Sequence, residues 1–415
     1  MGKAKPFEIS KYTVIEAYKL VKDNGGAAGV DGESIESFDR NYKDNLYKIW
    51  NRMSSGCYFP PPVKAVEIPK KTGGSRILGV PTVSDRIAQA VVKIFLEPLI
   101  EPHFHENSYG YRPNKSAIDA VGVTRARCWK YDWLIEFDIK GLFDNIDHEL
   151  LMKAVRKHTE CKWAIMYIER WLKAPFQKST GELVERTAGT PQGGVISPIL
   201  ANLFLHYVFD AWMVKNHPGK PWARYADDGV IHCRTREEAE ELLAQLGVRF
   251  LECKLELHPE KTKIVYCKDD KRRGTHSETK FDFLGYTFRG RQVKTRDGKL
   301  IIGFNPAVSD KASKGMRQTI RGWKIHLRSD TSIEQLSKEY KMVLIGWANY
   351  YARFGKARFH AVLHHMNREL ERWAMRKYKR LAGRKTRAGM WVSAAAALKP
   401  QLFDHWGKGI LWARG

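Results

Sequence analysis

Two adjacent carboxylates, Asp227 and Asp228, sit in the run Tyr225-Ala226-Asp227-Asp228-Gly229, flanked by the apolar segments 222–225 and 230–233. The pattern predicts a hairpin whose tip holds both acids. Side by side, the two repel each other unless a cation is present. Asp138 lies near the end of a third apolar segment, 133–139, with nothing nearby in sequence to neutralise it. If the hairpin lies beside that strand, three carboxylates converge on one end of a sheet. Hard oxygen ligands of this kind suit Mg²⁺. Two such ions about 4 Å apart activate an attacking hydroxyl and stabilise a leaving phosphate. The chemistry expected is phosphoryl transfer, although Asp-Asp-Gly also makes good turns without a metal.

These strands need a frame. A helix is expected over 12–23, ended by Asn24-Gly25-Gly26, and another over 33–49. The alternating segment 63–70, the turn 71–75 and the run RILGVP read as a second hairpin, and 84–97 as a helix with Ile87, Val91, Ile94 and Phe95 on one face. Residues 281–288 read as one more β segment, with helices near 147–172, 198–215 and 235–254. Interleaved strands and helices predict an α+β sheet domain. After about residue 305 the pattern turns to helices alone, over 333–354 and 357–381, and the best linkers are 268–280 or 305–313.

Charge divides the 415-residue chain unevenly. The total is 71 Lys+Arg against 46 Asp+Glu, yet residues 271–415 alone hold 32 basic and 10 acidic residues. That excess points to a folded module for a polyanion, of which nucleic acid is the first candidate. With 43% hydrophobic and 12% aromatic residues, the chain is neither disordered nor collagen-like. Six scattered cysteines without a C-x-x-C pair argue against a zinc ribbon or disulfide frame and fit a reducing cytosol. No signal peptide or membrane span is expected, and no G-x-x-x-x-G-K-[ST] loop is present.

Several blocks resemble one family. Tyr225-Ala226-Asp227-Asp228 is similar to the Y-x-D-D hairpin of reverse transcriptases, FDIKGLFDNIDH (137–148) to their first carboxylate motif, and TPQGGVISPILANLFLH (190–206) to the motif before the hairpin. NGGAAGVDG (24–32), VEIPKKTGGSRILGVPTVSDRIAQ (66–89), SYGYRPNKSAIDAV (108–121) and FLGYTF (283–288) resemble the group II intron-encoded reverse transcriptases, or maturases, in that family's order. The resemblance implies a right-hand polymerase. Fingers would lie within 1–130, a palm with a central antiparallel sheet within 131–300, and an all-α basic thumb/maturase region within 305–415. The resemblance is to bacterial-type members that lack an HNH domain, so no Cys-paired endonuclease segment is expected.

The resemblance also implies roles. Asp138, Asp227 and Asp228 would be catalytic and bind two Mg²⁺ ions, with Mn²⁺ a possible substitute and the Ile139 carbonyl a further ligand. Phe143 would be the steric gate against a ribose 2′-OH, or else an ordinary core Phe. Lys70 and Arg76 would clamp the triphosphate, unless they are solvated hairpin charges. Gln192 and Gly193 would shape the pocket floor. Lys261, with Lys263 as its alternative, would meet the departing pyrophosphate. Arg112 would support the template or fingers, a structural salt bridge being the other reading. Arg368, Arg372, Arg376, Lys377 and Arg380 would bind RNA phosphates. Implied partners are group II intron RNA, an RNA template with a DNA primer, dNTPs and target DNA, in a bacterial cytosol and with no membrane. The function implied is RNA-directed DNA synthesis together with assistance to intron splicing. A splicing factor without polymerase chemistry, or a free-standing relative in DNA repair or phage defence, are the alternatives.

Overall fold

Side-chain caps fix where many of the helices start. Ser10, Ser34, Thr82, Asp147, Ser309 and Ser332 each accept a backbone N–H of the first turn that follows. At Ser332 the capping box is complete, with Gln335 answering. The structure, a computed structural model, describes residues 5–69, 75–294 and 297–410. Its described residues mix helix and sheet and divide into two units that interleave along the chain. One holds residues of Met1–Ser116, Ile135–Ile231 and Glu237–Lys263; the other holds Ala117–Leu134, His232–Arg236 and Ile264–Gly415. Among the described residues no helix is long and apolar enough to cross a membrane.

In the first unit, the Lys11–Asn24 helix packs on Val83–Ile100 and Tyr42–Ser54. The Val63–Pro69 strand runs antiparallel to Ser75–Val80 and parallel to the short Phe176–Gln177 strand. The turn joining the first two, and with it Lys70, lies outside the described residues. Trp222–Tyr225 pairs antiparallel with Asp228–Cys233, Tyr225 facing Asp228. Asp228–Cys233 in turn lies between that strand and Trp133–Asp138. The hairpin and the strand ending in Asp138 therefore sit side by side, which meets the condition for the three carboxylates to converge.

The second unit carries an antiparallel sheet of Lys280–Phe283, Tyr286–Lys294 and Leu300–Val308. Helices Asp310–Gly322, Ile333–Tyr351, Lys356–Lys377 and Lys385–Leu398 follow. Their apolar faces build one core around Leu336, Leu344, Phe359, Met366, Leu370, Trp373, Phe403 and Trp406.

Some elements differ from expectation. The helix foreseen over 33–49 is two, Ile35–Arg40 and Tyr42–Ser54, broken at Asn41, whose φ of −125° and ψ of 36° are not helical. The one foreseen over 147–172 is likewise His148–His158 and Lys162–Lys173. Residues 281–288 are not one strand: Leu284 and Gly285, with φ of 49° and 79°, turn the chain back on itself. Residues 305–308 belong to the buried end of a strand, so 305–313 is no linker and the helical region starts at Asp310. Nor is 268–280 slack, because Arg272 binds the Asp132 carboxylate and the carbonyls of Cys128 and Cys267.

Trp373 is fully buried and donates its indole N–H to the Arg328 carbonyl at 2.8 Å. Trp373→Ala should destabilise the second unit by about 3–5 kcal/mol, read as a lower urea midpoint. A midpoint unchanged from wild type would contradict this packing.

Candidate active site

The turn at Tyr225-Ala226-Asp227-Asp228 needs support, because Ala226 has a left-handed φ of 55°. Arg224 supplies it from below. Its guanidinium is fully buried and forks onto Asp210 at 2.7 and 2.6 Å. The remaining hydrogens reach Asn202 Oδ1 at 3.2 Å, Ser108 Oγ at 2.9 Å and the Ala226 carbonyl at 3.3 Å. Asp210 closes a π-turn, His206–Asp210, in the helix that starts at Ser197. Two glycines permit the close packing. A Cβ on Gly110 would lie 2.5 Å from the Ala226 nitrogen, and one on Gly229 would lie 2.1 Å from the Phe137 ring.

Asp138 ends its strand beside this turn. Its carbonyl accepts from His258 N at 2.8 Å, and Lys140 N donates to the Glu256 carbonyl at 2.9 Å. These bonds hold the turn bearing Lys261 against the carboxylates. Lys261 Nζ lies 3.1 and 3.0 Å from the two Asp138 oxygens. Lys263 instead faces Glu136 at 3.6 Å, so Lys261 is the lysine the site receives. Ile139 is buried and bridged to Leu257.

The three acids crowd one another. Burial raises the Asp227 carboxyl above its usual range, and Asp138 adds to the shift. Asp228 is pushed up to about 7, first by burial, then by the charges of Asp227 and Asp138 and a hydrogen bond with Asp138; Lys261 opposes the shift. Among the described residues no three His, Cys, Asp or Glu side chains form a ready-made metal cluster, and Lys261 supplies the positive charge on Asp138. The donor set nonetheless fits a hard divalent cation: three carboxylates, two of them destabilised by unbalanced negative charge. A ring half in solvent, Tyr111, stands near the pair, its hydroxyl pushed up by burial and then by Asp227.

The other candidates divide. Phe143 is half-buried on a short helix after Gly141, and its carbonyl accepts from Thr190 N at 2.7 Å, so the ring is not sealed in the core. The Gln192 carbonyl accepts from Gly79 N at 2.7 Å. Gly193, at a φ of 110°, comes so near that a Cβ would lie 2.4 Å from Gly79 O. This turn thus rests on the Ser75–Val80 strand that carries exposed Arg76. Sequence reasoning missed what holds the turn from behind. Buried Gln89 accepts from Val195 N at 2.8 Å and donates to Asp85 at 3.0 Å. Asp85 in turn accepts from Tyr58 at 2.9 Å and Trp171 at 2.7 Å. The available signal was an acid and an amide four apart on one helix, Asp85 and Gln89.

Arg112 takes the second of its two expected readings, the salt bridge. It is engaged by Glu101 at 2.9 and 2.7 Å and by the carbonyls of His105 and Ser108, leaving its side chain 6% exposed. The structural salt bridge is what the geometry displays. In the second unit Arg368, Arg372, Arg376 and Arg380 are exposed, Arg372 bonding Glu369 at 2.7 Å. Lys377 instead donates to the carbonyls of Ser329 and Thr331, closing a turn.

Comparison with known proteins gives two family matches. The model described as reverse transcriptase (RNA-dependent DNA polymerase) matches residues 68–288. The model described as group II intron, maturase-specific domain matches residues 313–391. Among similar proteins, YkfC of Escherichia coli is 32% identical over 61% of this chain and 77% of its own length. The group II intron-encoded protein LtrA of Lactococcus lactis is 29% identical over 68% of this chain. The match spans a little over half of LtrA, 56% of its length. A putative COX1/OXI3 intron 1 protein of Saccharomyces cerevisiae is 32% identical over 48% of this chain and 23% of itself.

The raised Asp228 value makes a stability prediction. The folded chain holds a proton that an unfolded Asp releases near pH 4, so stability falls as pH rises from there through about 7. Buried Asp85, pushed up to about 6, adds a slope of the same sign. Metal-free protein should lose on the order of 2 kcal/mol between pH 5 and 8. Mg²⁺ should restore more of it at pH 8 than at pH 5, and Asp228→Asn should remove both the extra slope and most of the Mg²⁺ effect. Thermal melts across pH with and without Mg²⁺ check this; identical slopes in wild type and variant would contradict it.

Proposed function

Because the chain belongs to the reverse transcriptase family and carries a group II intron maturase-specific domain, we propose that it is an RNA-directed DNA polymerase. In this reading it binds group II intron RNA, assists its splicing and copies it into cDNA during intron mobility. The observation that carries the reading is the gathering of Asp138, Asp227 and Asp228 around Lys261 on one strand end and one hairpin tip. The alternative of a splicing factor without polymerase chemistry calls for an eroded carboxylate set, and this one is whole.

The reaction is attack of a primer 3′-OH on the α-phosphate of a dNTP, with pyrophosphate leaving. Asp138, Asp227 and Asp228, with the Ile139 carbonyl, would hold two Mg²⁺ ions, or Mn²⁺ in their place. Bound there, the ions would lower the pKa of the attacking hydroxyl and stabilise charge on the phosphate oxygens. Arg76, on its exposed strand, and Lys70 would pair with the triphosphate, Arg76 through its two-pronged guanidinium. Lys261 would neutralise the departing pyrophosphate from its place beside Asp138. The half-exposed Phe143 ring would crowd a ribose 2′-OH, while Gln192 and Gly193 floor the nucleotide pocket close to Gly79.

Residues 1–130 would form the fingers, 131–300 the palm interleaved with them, and 305–415 the basic thumb/maturase region. Phosphate contacts from Arg368, Arg372, Arg376 and Arg380 would add affinity for structured RNA. Template RNA, a DNA primer, dNTPs and target DNA complete the partners, in a bacterial cytosol.

Primer extension on an RNA template tests the assignment. Asp138→Ala, Asp227→Ala and Asp228→Ala should each lower the rate by about a thousandfold or more while RNA affinity stays within about threefold. Phe143→Ala should raise ribonucleotide incorporation about tenfold or more relative to deoxynucleotides. Full extension by any Asp variant would refute the catalytic role, and unchanged sugar selection would refute the gate.

A further inference from the structure

Six cations and no carboxylate line one cavity of the second unit. Arg125, Arg289, Arg291, Arg353, Lys356 and Arg358 surround a space of about 620 Å³. They come from the Ala117–Cys128 helix, the Tyr286–Lys294 strand and the region where the Lys356–Lys377 helix begins. Ordinary solvated cations would be balanced by neighbouring acids. Here the contact recorded with an acid is Arg358 to Asp310 at 2.7 Å, and the Asp310 side chain is itself 89% exposed. Arg291 donates to the neutral carbonyls of Asn305 and Thr287. Burial and then the charges of Arg289 and Arg358 push it down to about 10. Asp310, which also acts on Arg291, is thus one exposed counter-charge against six cations among the described residues.

Two neutral donors belong to residues of the same wall. Asn305 lines the cavity at 6% exposure. Its Oδ1 accepts from Arg125 Nε at 2.9 Å, which fixes the orientation of the amide. Its Nδ2 then remains a buried donor with no acceptor among the described residues, a group whose hydrogen bond is left to be supplied. The second donor is the helix start. Gly355 caps the 22-residue Lys356–Lys377 helix in a left-handed conformation and no side chain caps it, so the positive end of the helix is open to an anion where Lys356 and Ala357 line the wall. A Cβ on Gly355 would lie 2.5 Å from the Ala307 Cβ, so only glycine lets this end seat against the strand. The Phe354 ring, over which Arg125 lies at 5.7 Å, offers a π-face in the same cavity.

We propose that this cavity is a built phosphate site that grips the backbone of a single RNA strand, with Asn305 Nδ2 and the helix start as neutral donors and the guanidiniums as charged forks. Guanidinium geometry matches phosphate oxygens in pairs, and an aromatic face beside them suits an unstacked base. The proposal deepens the RNA-binding part of the function above and rests on it for the identity of the strand. It does not depend on polymerase chemistry.

The test is equilibrium binding of a labelled single-stranded RNA of about 20 nucleotides to the full chain across a salt series. Arg289, Arg353 and Lys356 are exposed, so R289Q/R353Q/K356Q should fold normally. It should bind about tenfold or more weakly and lower the salt slope by about 2–3. K311Q/K314Q/K338Q removes equal charge from exposed positions off the cavity and should cost less than about threefold. N305D, which replaces the unpartnered donor with an acceptor at constant size, should also weaken binding. Equal losses in the two triple variants, or none in the first, would overturn the proposal. Pyrophosphate is the probe for small phosphates: if it raises the melting temperature of wild type but not of R289Q/R353Q/K356Q, while RNA affinity is the same in both, the site takes free phosphates and the RNA proposal fails. Primer extension by wild type is read separately. Its absence would remove the polymerase assignment and leave the binding comparison intact.

Discussion

The buried pair of Arg224 and Asp210 is the constraint on which the site depends. A guanidinium removed from water is tolerable only with its charge matched and its hydrogens taken, and here both conditions hold. Its partners come from three distant stretches: Ser108, the helix bearing Asn202 and Asp210, and the turn at Ala226. One side chain therefore specifies where three segments meet. It does so directly beneath a left-handed alanine and two acids that repel each other. The favourable electrostatics below the turn offset the unfavourable electrostatics above it, and the surplus negative charge is left facing Lys261 and whatever cation the site takes.

A second buried polar chain does the same for the neighbouring turn. Asp85, held by Tyr58 and Trp171, orients Gln89, and Gln89 in turn satisfies the backbone of Val195 and Ile196. A glutamine with both ends committed has one orientation, so the Gln192-Gly193 turn is held from behind while its front faces Gly79. Both devices are networks in which each polar group is satisfied, and such networks fix geometry more than they add stability.

The sequence made the carboxylates legible because their signal is local. An apolar run ending in an acid, and two acids at a hairpin tip, need no knowledge of the rest of the chain. The helix Lys11–Asn24 was legible for the same reason, from its period and its terminating glycines. What stayed hidden was set at a distance. For Arg112 a salt bridge was open, but its partner Glu101, eleven residues away, was not marked. Arg224 sits in a four-residue strand with nothing to mark it as buried, and its partner Asp210 sits in a helix fourteen residues earlier. The hairpin at Leu284-Gly285 was masked because the aromatic-rich run FDFLGYTF fits one strand as well as two. The strand Leu300–Val308 was overlooked because its pairing partner, not its own composition, defines it.

The most direct test of the central claim is steady-state primer extension by Arg224→Lys, compared with wild type at equal folded fraction. Lysine keeps the buried charge near Asp210 but loses the fork that also ties Asn202, Ser108 and the Ala226 carbonyl. The account predicts that kcat falls about tenfold to a hundredfold, with a higher Mg²⁺ requirement and a dNTP KM within about twofold of wild type. Wild-type kcat and Mg²⁺ dependence in a folded Arg224→Lys protein would contradict it.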